Sequence, residues 1–125
     1  DIVARLSSDF HRFVGKGLVV NLLDAQLRPW APAFQNYRLS KLFLEELTRQ
    51  SALRFAPDLR VNAIAPGPIL PAEGDHGERF EETVRRTPLQ KAPGVEAVLR
   101  CLDTILGNEF LTGQVLYADS GQHLL

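Results

Sequence analysis

Two short apolar runs constrain this chain more than any other feature, because neither alternates polar with apolar residues. The first is Gly17-Leu18-Val19-Val20-Asn21-Leu22-Leu23, β-branched at its centre and bounded by glycine and by Asp24. The second is Leu59-Arg60-Val61-Asn62-Ala63-Ile64-Ala65, cut off by Pro66-Gly67-Pro68. A strand of this kind is covered on both faces, as in a parallel sheet held between helices. Thr112-Gly113 turns the chain into a third run, residues 114–118, which Asp119-Ser120-Gly121 ends.

Helical periodicity fills the intervals. In residues 1–14, Ile2, Leu6, Phe10 and Val14 stand four apart and make one helical face, stopped by Gly15-Lys16-Gly17. Residues 24–35 hold Pro29 and Pro32 and read as a loop. The strongest helix pattern spans residues 36–55, with Leu39, Leu42, Phe43 and Leu47 in its apolar stripe, Glu45 and Arg49 as an i,i+4 pair, and Pro57 beyond its end. After a Pro- and Gly-rich connection at 66–77, helices are expected at about 77–86 and 94–106. The order helix, strand, helix, strand, helix, helix, strand predicts an α/β fold with about three parallel strands and flanking helices. A right-handed crossover is expected for residues 24–58, while the face taken by 66–113 stays open.

At 125 residues the chain makes one domain at most, and 14 Lys+Arg against 15 Asp+Glu give a net charge of -1. That balance excludes a general electrostatic grip on nucleic acid or on an anionic membrane. The longest uncharged stretch, 61–72, contains three prolines and is too short to span a bilayer. Cys101 is the single cysteine, which suits a reducing compartment, and with no secretory pattern at the N-terminus a cytoplasmic location is expected. Cys101, His11, His76 and His123 are scattered, so no metal site is expected. Gly15-Lys16-Gly17 precedes a strand, whereas a phosphate loop follows one and opens a helix. The chain opens on Asp1 without a Met, as a fragment or processed product would.

In open parallel sheets, ligands bind beyond the carboxyl ends of the strands. Two loops leave such ends here, one at Asp24 and one at Pro66. Asp24 either terminates its strand and caps the following helix or faces a ligand. Tyr37 and Lys41, four apart at the start of the strong helix, share one face near that edge. A cation beside a phenol favours phenolate and lowers the phenol pKa, and a phenol so tuned can give up a proton near neutral pH.

Taken together, these residues resemble the short-chain dehydrogenase/reductase family. Tyr37-Arg38-Leu39-Ser40-Lys41 is similar to its Tyr-x-x-Ser-Lys motif, and residues 60–67 to its Arg-Val-Asn…Pro-Gly segment. Thr112-Gly113 and Ala118-Asp119-Ser120-Gly121 are similar to its Thr-Gly…Asp-Gly-Gly ending, with Ser120 in place of one Gly. The resemblance covers nearly the whole chain but only the C-terminal half of that family's usual domain. It implies the C-terminal half of a Rossmann-like doubly wound sheet, without the dinucleotide-binding half. It implies Tyr37 as proton donor and Lys41 as the group that tunes it and bonds the nicotinamide ribose. It also implies that Pro66, Gly67 and Ile69 lie against the nicotinamide, with the Ile69 backbone at its carboxamide. The Thr often found two residues later is Pro71 here, so its phosphate contact is lost.

The family's usual Ser partner of the Tyr is Asp24 in this chain. That departure resembles the pteridine-reductase branch, dihydromonapterin reductases included. Asn21-Leu22-Leu23-Asp24-Ala25 and the segments Ala92-Pro93-Gly94 and Asp119-Ser120-Gly121-Gln122-His123-Leu124 are similar to theirs. A carboxyl group suits a pterin, whose amino group and ring nitrogens it can bind or protonate. The activity implied is NADPH-dependent reduction of a pterin-like small molecule. No Gly-rich loop opening a helix occurs in the chain, so weak or no NADP(H) binding is expected of it alone. The strand at 17–23 lacks an obvious second neighbour, and association with an N-terminal half or as a homo-oligomer is expected. Two further possibilities stand beside this: a catalytically inactive truncated product acting as an association module, and one half of a split reductase. Trp30 and Phe34 read first as loop packing and second as a stacking platform for a flat heterocycle. His76 reads as a solvated loop residue, His123 as structural or exposed, Cys101 as core, and Glu81-Glu82 with Arg85-Arg86 as a solvated helix face.

Overall fold

The computed structural model describes residues 16–26, 35–75 and 77–125. Its centre is β2 (Leu59–Pro66), flanked by β1 (Gly17–Leu22) and β3 (Val115–Ala118) in a parallel sheet of order β1-β2-β3. Gly17 pairs with Leu59 and Leu22 with Ile64, and Ala63 pairs with Val115 and Pro66 with Ala118. All strands therefore run to one edge, where Asp24, Pro66-Gly67 and Asp119 emerge. Among the described residues β1 has a partner on one side only, and its residues are half-buried or exposed, whereas β2 is buried along most of its length.

The helices are α1 (Gln35–Phe55), α2 (Glu78–Arg86) and α3 (Gly94–Gly107). Alternate β2 side chains go to opposite faces. Leu59, Val61, Ala63 and Ala65 pack on the side of α1 with Leu44, Ala52 and Phe55, while Ile64 packs with Ile105, Ala97, Val98, Cys101 and Leu102 of α3. Two helix layers thus enclose the sheet, which is why β2 reads as a continuous apolar run.

Of the four residues named in the α1 stripe from the sequence, Leu47 is half-buried and the other three turn away from the sheet. Leu39, Leu42 and Phe43 are exposed, and the buried seam carries Thr48, Ser51 and Ala52 instead. Small and hydroxylated residues let the helix lie close to the strands. Thr48 Oγ1 donates to the Leu44 carbonyl and accepts from Asn21 Nδ2 at 2.9 Å, tying α1 to β1 without an orphaned polar atom.

The Arg-Val-Asn segment of β2 fastens the chain leading into β3. Arg60 Nη1 and Asn62 Nδ2 both donate to the Leu111 carbonyl, and Asn62 Oδ1 accepts from the Gln114 amide at 3.0 Å. Asn62 is fully buried, so each of these bonds compensates its desolvation. Cys101 is half-buried at the edge of the Ile64–Ile105 cluster, and burial pushes its thiol above the usual range. Glu81, Glu82, Arg85 and Arg86 are exposed. The helix expected at 1–14, Trp30, Phe34 and His76 lie outside the described residues. Among the described residues no helix is long and apolar enough to cross a membrane, and no group of three or more His, Cys, Asp and Glu could hold a metal ion.

Candidate active site

Asp24 is the second residue past β1, at the sheet's carboxyl edge. Its Oδ1 accepts from the Gln26 amide at 2.7 Å, an Asx turn that aims the other oxygen outward. Oδ2 accepts from Tyr37 Oη at 2.9 Å. Tyr37 lies in the first turn of α1, so the helix start brings its phenol over the strand end. The phenol is 47% exposed, which leaves it open to a substrate.

Lys41 follows Tyr37 one turn later. Its Nζ donates to the Leu22 carbonyl at 2.8 Å and stands 5.7 Å from the centre of the Tyr37 ring. The ammonium fastens α1 to the last carbonyl of β1. The structure thus brings Asp24, Tyr37 and Lys41 together at one edge.

The electrostatics differ from the expectation that Lys41 lowers the phenol pKa. Burial, the hydrogen bond to Asp24 and the charge of Asp24, in that order, raise Tyr37 above the ordinary tyrosine value. A carboxylate that accepts from the phenol stabilises the protonated form and repels the phenolate. Lys41, 5.7 Å from the ring centre, does not reverse that direction. The phenol is therefore held as a proton carrier.

Pro66 and Gly67 form the adjoining rim. The Pro66 carbonyl accepts from the Ala25 amide at 2.9 Å, and the Gly67 amide donates to the Ala118 carbonyl at 3.0 Å. A Cβ at Gly67 would lie 2.6 Å from Asp119 Cα, so only glycine allows this turn to lie so close to the β3 end. Ile69 is half-buried two residues on. A cleft of about 730 Å³ continues outward from this rim, lined by Gln26, Pro68, Leu70, Asp75, Arg79 and Phe80 among others. The exposed phenol, the ammonium and the turn at residues 66–69 thus border the sheet's carboxyl edge, where open parallel sheets bind ligands. The chain has no Gly-rich loop opening a helix with which to hold the pyrophosphate.

Two contributors escape sequence reasoning. Leu22 acts through its carbonyl, which no side-chain pattern announces. Asp119 backs Gly67 and binds His123 Nδ1 at 2.7 Å, whereas the sequence shows it only as the acid that ends a strand and as part of the family-like ending, with neither contact indicated. His123 is accordingly part of the structure, stacked on Tyr117.

Comparison with known proteins agrees with this layout. The chain matches the family described as Enoyl-(Acyl carrier protein) reductase over residues 5–123. It is 38% identical over 88 residues to the dihydromonapterin reductases of Citrobacter koseri and of Escherichia coli O6:K15:H31, matches that cover 70% of this chain and 37% of each relative. Among solved structures it is similar to FolM alternative dihydrofolate reductase 1 from Brucella canis, complexed with NADP, at 40% identity and a TM-score of 0.87, covering 98% of this chain and 50% of that one. The Brucella suis protein of the same description, also with NADP, gives 40% identity and a TM-score of 0.88, covering 98% of this chain and 51% of that one. The chain thus spans about half the length of these solved relatives.

Proposed function

The chain belongs to the short-chain dehydrogenase/reductase family, and from that membership we propose that it is the substrate-reducing half of an NADPH-dependent oxidoreductase acting on a pterin-like substrate. The substrate class is dihydropteridine, dihydromonapterin or dihydrofolate. The observation that carries this reading is the Tyr37–Asp24 hydrogen bond at the sheet's carboxyl edge, with Lys41 one turn away. The names of the relatives, dihydromonapterin reductase and alternative dihydrofolate reductase, support the substrate class.

When bound, the nicotinamide supplies hydride to the carbon of a C=N bond. Tyr37 Oη gives a proton to the nitrogen, so C=N becomes CH–NH. As the proton leaves, the developing phenolate needs a positive neighbour, and Lys41 is the ammonium placed to supply it. Displaced from the phenol, the Asp24 carboxylate accepts from the amino and ring N–H groups of the pterin. Pro66, Gly67 and Ile69 would lie against the nicotinamide when it is bound.

Among the described residues β1 is paired on one side only, which supports a partner segment at its other edge. The occupant is the dinucleotide-binding half, on the same or another chain. The outward Leu39, Leu42 and Phe43 of α1 support packing against a second copy. A single cysteine with no internal disulfide to form supports a cytoplasmic site of action.

The test is reduction of a dihydropterin with NADPH by the chain joined to a dinucleotide-binding half, with calorimetry of NADPH against the chain alone. Turnover by the joined protein, and weak or no binding by the chain alone, are expected. A joined protein that binds NADPH but reduces no pterin refutes the reading in favour of an inactive association module.

A further inference from the structure

The carboxyl end of β3 carries a side-chain cluster that the reductase reading leaves unused. Asp119 is 3% exposed, yet both of its oxygens are satisfied. Oδ1 accepts from the Gly121 amide at 3.0 Å, and Oδ2 accepts from the His123 amide and from His123 Nδ1, each at 2.7 Å. A buried carboxylate costs several kcal/mol of desolvation unless donors replace water, and here its own turn provides them. The His123 ring stacks on Tyr117 with centroids 4.0 Å apart, which fixes the imidazole from its other face. The result is a hook that folds residues 119–124 back over the end of the sheet, closed by the 3-10 turn Gln122–Leu124.

On its far side Asp119 touches Gly67. A Cβ at Gly67 would meet Asp119 Cα at 2.6 Å and Asp119 Cβ at 2.8 Å, so the two backbones are in direct contact. The Gly67 amide is bonded to the Ala118 carbonyl, and the Pro66 carbonyl to the Ala25 amide. An unbroken series of contacts therefore runs from His123 through Asp119, Gly67 and Pro66 to Ala25, the neighbour of Asp24.

We propose that Asp119 and His123 are positioning residues: their hydrogen bond holds the Pro66-Gly67 turn in place and, through Ala25, the carboxylate of Asp24. The catalytic consequence rests on the reductase reading above, whereas the mechanical part does not. Neither residue touches substrate. The pair sets the height of the backbone rim on which the nicotinamide and the substrate would lie.

The experiment uses three variants. His123→Phe keeps a ring over Tyr117 and removes the Nδ1 donor. His123→Asn returns a side-chain N–H near the same position. Asp119→Asn, which keeps the size of the side chain, provides a second disruption should the Phe variant not fold. Amide hydrogen exchange of the chain is expected to quicken about tenfold at Gly67 and Ala25 in His123→Phe, the loss of one charge-assisted bond. Val61 and Ala63 within β2 should keep their protection, and His123→Asn should restore Gly67 and Ala25. Unchanged protection at Gly67 and Ala25, or uniform loosening of the sheet, overturns the proposal. In the joined reductase, His123→Phe should raise the KM for NADPH by about tenfold while kcat falls less, again with rescue by Asn. Equal effects on both constants without rescue overturn the positioning role. An unsubstituted joined protein that reduces no pterin refutes the reductase reading alone, and the exchange result still decides the mechanical claim.

Discussion

The Tyr37 hydroxyl donates to Asp24 Oδ2 across 2.9 Å, and this bond raises the acid it belongs to. Burial contributes most, then the bond itself, then the carboxylate charge. Because the folded pKa lies above the unfolded one, the stabilisation is fully present below the ordinary tyrosine pKa. It is lost as pH rises through the folded-state value. Asp24→Ala removes the bond and the charge but not the burial, so the Tyr37 pKa should fall towards the ordinary value without reaching it. Asp24→Asn keeps an acceptor oxygen and should fall less. Carbon-13 NMR of ring-labelled tyrosine, which separates Tyr37 from Tyr117, measures this directly. A Tyr37 pKa that rises on removal of Asp24 contradicts the assignment.

Removing the phenol proton should separate chemistry from folding. In the joined reductase, Tyr37→Phe is expected to lower turnover by about 10²–10⁴-fold, the usual contribution of a positioned acid. The side chain is 47% exposed and the ring is retained, so thermal unfolding should move little. Turnover within a factor of two of the unsubstituted enzyme removes Tyr37 from the role of proton donor.

The carboxylate should matter according to the substrate. Asp24→Ser leaves a hydroxyl beside the phenol but removes the charged, two-oxygen acceptor that can take a pterin's amino and ring N–H groups together. Pterin reduction should therefore suffer more than reduction of a simple carbonyl compound, read as the ratio of kcat/KM for the two. Equal loss on both substrates counts against a pterin.

The fold was legible because its signals are local. Non-alternating runs at 17–23 and 59–65 mark the first two strands, of which only the second is buried along most of its length, and the helices observed at Gln35–Phe55, Glu78–Arg86 and Gly94–Gly107 lie within one residue of the expected 36–55, 77–86 and 94–106. The apolar residues of α1 misled, because periodicity identifies an apolar face without saying what covers it. Leu39, Leu42 and Phe43 point outward while Thr48 and Ala52 meet the sheet. At the site, residue types and spacing suggested that Asp24, Tyr37 and Lys41 meet, but not which pair bonds. Burial and the bond to Asp24 raise the phenol pKa, the opposite direction from a bare Tyr–Lys pair, while Lys41 bonds a backbone carbonyl. Backbone partners such as Leu22, and the contact between Gly67 and Asp119, depend on register and have no side-chain signature.

Gly67→Ala tests that close contact. The added methyl group would lie 2.6 Å from Asp119 Cα, a backbone atom that cannot swing away. A loss of about 1–3 kcal/mol of stability is expected, the usual cost of overpacking. Gly107→Ala is the control: it lies at the end of α3 with nothing within 4 Å of the new methyl group, and it should be neutral or stabilise by up to about 1 kcal/mol. Denaturant unfolding of both variants decides the point. A Gly67→Ala protein as stable as the control means that the rim and the β3 end are not in contact.

Ser120 stands where the resembling family ending has glycine, and its φ of 56° lies in the left-handed region. A side chain there costs about 1–2 kcal/mol relative to glycine. The hydroxyl offsets part of that cost by donating to the Lys91 carbonyl, which fastens the turn to the segment before α3. That bond is worth about 1 kcal/mol. Ser120→Gly exchanges the bond for relief of the backbone and should leave stability within about 1 kcal/mol of its starting value. Ser120→Ala loses the bond and keeps the unfavourable φ, so it should be less stable by about 1 kcal/mol. Unfolding midpoints in the order Gly above Ala support the offset between backbone conformation and hydrogen bond. An Ala variant as stable as the Gly variant means that the left-handed conformation costs little here, and one as stable as the Ser protein means that the hydroxyl contributes nothing.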